Sequence, residues 1–154
     1  MPTFTHPDRV DQDVSNDPFF GNLNLGEWQE RYRLPASVAP VEYTETLNLA
    51  IDEVNAELAE WKALKVAAGV ANLAALDALS VPQGAPTRYY KTAVFARAYA
   101  LALPMLSTEF FNDEGEGPQG DVESRQGVFF ERSDRFIARL TGLPALPGYM
   151  FEVI

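Results

Sequence analysis

The groups in this chain that could do chemistry are twenty-two carboxylates, twelve lysines and arginines, and a single histidine. The carboxylates fall in suggestive pairs, Asp52 with Glu53 and Glu57 with Glu60. Such a pair works as general acid and base only where a cleft buries it and drives the two pKa values apart. Nothing in the surrounding sequence announces such a cleft. His6 stands alone in a proline-rich start, so no Ser-His-Asp constellation has a second candidate base. The absence of cysteine removes thiolate nucleophiles, disulfides and Cys-ligated metals. There is no G-x-G-x-x-G, no Walker loop and no H-E-x-x-H. The acidic stretch "NDEGEGPQG" at 112–120 lacks the alternating acids and distal glutamate of a calcium loop. The chain is therefore expected to be no enzyme and to hold no cofactor and no metal. Its function should lie in surfaces.

Charge narrows which surfaces. Net charge is −10, the wrong sign for a protein that grips nucleic acid by neutralising phosphates. DNA should be repelled, and the acidity is first of all a source of solubility. Against this background Arg125, Arg132, Arg135 and Arg139 stand out, four of the twelve bases within fifteen residues. On a helix they form a basic strip. It either pairs with acids of another helix, each surface pair contributing about 0–1 kcal/mol, or meets a neighbouring subunit, an acidic partner surface or a phosphate backbone. Two further apolar features need a destination. Phe19 and Phe20 lie in an otherwise polar arm and either tuck onto the domain or dock on a neighbouring subunit. The last residues, "GYMFEVI", alternate with period two from Tyr149, which predicts one strand. Such a strand either folds back or adds to a sheet of another molecule.

The elements that must position these groups are helical. Leu47, Ile51, Val54, Leu58 and Trp61 recur in steps of four and three, one face of a helix over 41–66. Its length of about 39 Å, at about 1.5 Å per residue, makes it the expected central post. Pro40 suits its first position and Gly69 its end. A short helix over 25–33 has Asn24 as cap and Glu27 three residues on. A short helical segment is expected over 70–80. Thr87 could cap a second long helix over 88–111, whose stripe of Tyr90, Val94, Ala98, Leu101 and Met105 is widened by Phe95, Tyr99, Ala102 and Leu106. Pro104 should kink it, at a cost on the order of 3 kcal/mol. Asp121 could cap a third long helix over 122–141, with Phe129, Ser133, Phe136 and Leu140 facing inward.

The expected fold is all-α: a small bundle of three long helices plus short ones, with extended arms. The domain would span 25–141, between an N-terminal arm (1–24) and a C-terminal tail (142–154). The start lacks a basic segment followed by an apolar run, so no secretory signal is expected. "TAVFARAYALALPML" is interrupted by Arg97 and Pro104, so no membrane span is expected either.

The pattern also resembles a known family. "LNLGEWQERYRLPASVAPVEYTETLNLAIDEVNAELAEWKA" is similar to the opening of the phage head completion (gpL-type) proteins of contractile-tailed bacteriophages. There a short aromatic helix ends in an R-[YF]-R-[LV] segment, matched by Arg31, Tyr32, Arg33 and Leu34. A V-x-P start follows, here Val38 and Pro40, then an A-I-x-x-V-N-x-E-L-x-x-W core. Ala50, Ile51, Val54, Asn55, Glu57, Leu58 and Trp61 supply that core. "YYKTAVFARAYALAL" resembles the family's Y-x-x-A-V helix. Val70 stands where an aromatic is usual, and the 112–120 loop has no counterpart. The resemblance covers about residues 19–154. It implies a virion protein of the head-tail neck, assembled in the host cytoplasm. That protein would dock as a dodecameric ring on the portal protein after DNA packaging and present a platform for a tail terminator or tail completion protein. Genomic DNA would pass through without specific binding. Under this resemblance Gly148, Tyr149, Met150, Phe151, Glu152, Val153 and Ile154 are the expected portal hook, and Phe19 and Phe20 an inter-subunit arm. The alternative is a small acidic regulator or DNA mimic on a basic host protein, marked by steeply salt-dependent binding to that partner and no affinity for portals.

Overall fold

The computed structural model describes residues 10–111 and 119–143, with backbone alone at 109–111 and 119–120. Two short strands pair antiparallel, β1 (Asp13–Val14) with β2 (Leu23–Asn24), in the register Asp13 to Asn24 and Val14 to Leu23. Six helices follow: α1 (Leu25–Tyr32), α2 (Pro40–Glu57), α3 (Ala59–Ala67), α4 (Leu73–Leu79), α5 (Ala85–Phe111) and α6 (Gln119–Thr141). The all-α expectation holds.

The central post is α5, not the helix that the first apolar stripe marks. Residues 93–98 of α5 are buried at every successive position, which a helix achieves only with neighbours around most of its circumference. Phe95 faces α1, where Trp28 Nε1 donates to its carbonyl at 3.2 Å. Tyr90 faces α2 through Asn55. Ala93 faces α6, where Ser133 Oγ donates to its carbonyl at 2.8 Å. The alanines of α5 keep these approaches close.

The stripe over 41–66 is right in its first part and wrong as one rod. Tyr43, Leu47, Ala50, Ile51, Val54 and Leu58 are buried. Leu58 then leaves helical geometry, at φ −94° and ψ 1°. Beyond it the apolar spacing continues through Trp61 and Leu64 but the burial stops, and α3 buries none of its residues. Leu64 (69% exposed) and Val66 (51%) point to solvent. Trp61 is half-buried, edge-on to Phe19 with centroids 6.2 Å apart. Lys62 pairs with Asp17. These contacts draw α3 onto the N-terminal segment instead of onto α5.

That segment belongs to the core. Val14, Phe19, Phe20 and Leu23 are all buried. Phe20 stacks on Tyr90 at 4.4 Å and 4°, and Phe19 meets Phe20 edge-on at 5.0 Å. Both rings are thus packed onto their own domain, the first of the two destinations the sequence left open for them. The turn that brings them in uses Gly21 at φ +84°, left-handed backbone that glycine tolerates.

Three capping expectations are settled by local bonds. Asn24 caps α1 by accepting from the Glu27 backbone N–H at 3.0 Å. Thr87 is no cap, because α5 starts at Ala85. The carboxylate of Asp77 on α4 instead accepts from the Thr87 backbone N–H (2.9 Å) and hydroxyl. Asp121 lies in the first turn of α6, which begins at Gln119. Pro104 sits inside a continuous α5. Proline cannot donate to the carbonyl four residues back, and Gln126 of α6 fills that vacancy by donating to the Ala100 oxygen at 2.9 Å.

Candidate functional site

The surfaces with chemical character are the two seams where α6 lies along α5. On the first, Arg97 emerges from α5 with its side chain 7% exposed. Nη1 donates to Glu53 Oε1 at 3.1 Å, and Nη2 to Glu57 Oε2 at 2.8 Å and Asp134 Oδ1 at 3.0 Å. The Phe130 ring lies 5.8 Å from the guanidinium carbon. One buried cation therefore ties α2 and α6 to α5. The three carboxylates are 45%, 46% and 65% exposed and exceed the guanidinium by two charges. From solvent this seam is acidic. Glu53 and Glu57 are ligands of an arginine here, not a general acid and base, and Asp52 and Glu60 are exposed.

The second seam, between α6 and α1, is basic and aromatic. Tyr32, Tyr99 and Phe129 form a cluster with centroid separations of 4.9, 4.6 and 6.0 Å. Burial pushes the Tyr32 phenol pKa up, and the Arg132 and Arg31 guanidinium groups oppose that shift. Arg125 donates to the Tyr99 hydroxyl at 3.3 Å. Arg132 and Arg139 lie over the Phe136 ring at 5.9 and 4.9 Å. Arg125, Arg132 and Arg139 recur every seven residues, which keeps them on one edge of α6. All three are exposed, and among the described residues none has a carboxylate within ion-pair distance. Arg135 pairs with Glu131 of its own helix at 3.2 Å. The expected pairing of this strip with acids of the long helix is absent among the described residues, because Arg97 already holds two of those acids from the opposite edge.

A third polar feature is internal. Tyr90 donates to Asn55 Oδ1 at 2.6 Å, Asn55 donates to Asn16 Oδ1 at 2.8 Å, and Asn16 donates to the Tyr90 oxygen at 2.9 Å. This closed ring pins the N-terminal segment to α2 and α5. Burial is the main reason that the Tyr90 phenol pKa is pushed far up, so the ring stays neutral. Beside it, Asp17, Phe20, Asn55, Ala59, Lys62, Ala63, Val66 and Ala67 line a shallow, open groove of about 510 Å³. The Lys62 ammonium and the Phe19 backbone N–H hold the Asp17 carboxyl below its ordinary range.

Other expected site residues lie outside the described residues: Gly148, Tyr149, Met150, Phe151, Glu152, Val153 and Ile154 at the C-terminus, His6, and most of the 112–120 loop. Among the described residues no group of three or more His, Asp or Glu could hold a metal, and no helix is long and apolar enough to cross a membrane. Sequence reasoning missed Arg97, Asn55 and Tyr90 as polar ties. The available signal was a cation set inside the alanine-rich apolar run of α5, with two glutamates one turn apart on α2.

The family model of the phage head completion protein (GPL) matches residues 14–145. The head completion/stabilization protein of Escherichia phage P2 is 28% identical over 132 residues, which cover 85% of this chain and 78% of that protein. No solved structure matches.

Proposed function

This chain belongs to the phage head completion protein family, and on that premise we propose that it docks as a ring on the portal after DNA packaging and forms the platform for tail attachment. The observation that carries this reading is the match over 14–145, which takes in every described helix up to α6. The residues of the family-like block have structural duties. Ile51, Val54 and Leu58 fill the core, Asn55 closes the ring with Tyr90 and Asn16, and Glu57 holds Arg97. A rigid adaptor needs such a frame, with its contacts made by surfaces and tails. The excess of acid suits a neck protein past which genomic DNA moves without being held. The partners in this reading are the portal protein, neighbouring copies in a dodecameric ring, and a tail terminator or tail completion protein.

The C-terminal segment, residues 148–154, is the portal hook in this proposal. A chain truncated after Pro147 should keep the circular-dichroism spectrum and unfolding midpoint of the full chain, because the described core ends at Leu140. Its co-sedimentation with purified portal should be lost. Undiminished portal binding by the truncated chain would remove the hook from the proposal.

A further inference from the structure

We infer that copies of this chain join head to tail, the arginine edge of α6 on one copy seating against the acidic seam around Arg97 on the next. This deepens the ring reading above and rests on it. Helix α6 is split lengthwise by charge. Asp134 stands on the α2 side of α6, bound to Arg97. Arg125, Arg132 and Arg139 stand on the α1 side, against Tyr99 and Phe136. The two edges are complementary in charge but face away from each other, so one copy cannot satisfy itself. A copy that offers its arginine edge to one neighbour keeps its acidic seam free for another. That contact is heterologous, the kind that repeats and closes into a ring when the rotation permits.

The chemistry of the two edges favours each other over other partners. The seam holds three carboxylates against one guanidinium, and the half-exposed oxygens can accept further N–H donors. Guanidinium groups supply such donors as planar forks, bidentate on carboxylates. Arg132 and Arg139 are held over the Phe136 ring and Arg125 by one bond to the Tyr99 hydroxyl, none of them by an acid among the described residues, so most of their N–H groups remain available. Phe129 and Phe136 are half-buried on the arginine side of α6, and Phe130 is half-buried beside Arg97 on the acidic side; these rings supply apolar area that an interface core requires.

The absence of cysteine makes the test direct. Single-cysteine variants D134C and R132C are prepared in the full chain and mixed in equal amounts, with a short bis-maleimide as the linker. The mixture is examined on purified portal and, separately, as concentrated protein alone at low salt. The inference predicts a D134C–R132C dimer and little D134C–D134C or R132C–R132C product. Reversing the unlinked strip residues, R125E with R139E, should lower the mixed product about tenfold or more, since like charges then face each other. Equal yields of like-with-like products, or no mixed product in either setting, overturn the inference. A mixed product in free protein without any portal binding leaves this inference standing and sinks the docking proposal alone. D134C removes one of three ligands of Arg97, so a parallel pair, E57C with R132C, repeats the test from α2.

Discussion

Replacing Glu53, Glu57 and Asp134 together by alanine is expected to lower the unfolding free energy by about 3 kcal/mol, at least twice the sum of the three single replacements, each of which costs about 0.5 kcal/mol or less. The asymmetry follows from where the burial lies. The carboxylates are about half exposed, and each one removed leaves two to hold the guanidinium. Arg97 is the buried partner at 7%, and a guanidinium keeps its charge. Only the third removal leaves a buried cation with no anion. The figure is the lower end of the cost of breaking a buried pair, because water reaches the seam. Urea denaturation of the three single variants and the triple variant measures it. A triple cost equal to the sum of three small single costs would show that solvent, not protein, satisfies Arg97. The complementary variant R97M should be mild, below about 1.5 kcal/mol, since Met fills much of the volume and the freed carboxylates return to water.

The second large effect is expected at Trp28. Its side chain is fully buried, meets Tyr43 edge-on at 5.7 Å and donates from Nε1 to the Phe95 carbonyl. W28A should cost about 3–5 kcal/mol through the cavity and the lost burial. W28F keeps an aromatic ring and loses mainly the N–H and part of the volume, so it should cost about 1–2 kcal/mol. The same denaturation series reads both. A small effect for W28A would mean that α1 is not anchored on α5, and that the basic seam, which includes Tyr32 of α1, is not rigid.

The helices were legible in the sequence because burial leaves a period. Leu47, Ile51, Val54 and Leu58 mark α2, and the breadth of the apolar face of α5 announced its burial from several sides. Asn24 and Pro40 were readable because helix ends use specific local chemistry. What period cannot carry was missed. The bend at Leu58 depends on Lys62 and Trp61 finding Asp17 and Phe19 about forty residues earlier in the chain. The partner that replaces the missing bond at Pro104, Gln126, could not be read from α5 because it comes from a different helix. For Phe19 and Phe20 the sequence left two destinations open, the domain or a neighbouring subunit, because their contacts with Tyr90 and Trp61 are set by tertiary structure. Arg97 was visible only as an interruption in an apolar run. Its role needs three acids from two other helices, and no spacing within α5 encodes them. The Arg125, Arg132 and Arg139 strip was seen correctly as basic, but its supposed partners on the long helix were already bound elsewhere.

In the proposed function this frame assembles as a ring on a portal. The most direct measurement is the mass of the complex formed as the full chain is titrated into purified portal, followed by mass photometry. A single saturable step that ends at one copy per portal subunit is expected, a closed ring with no stable partial occupancy. Continuous growth beyond that ratio, saturation far below it, or no gain in mass would contradict it.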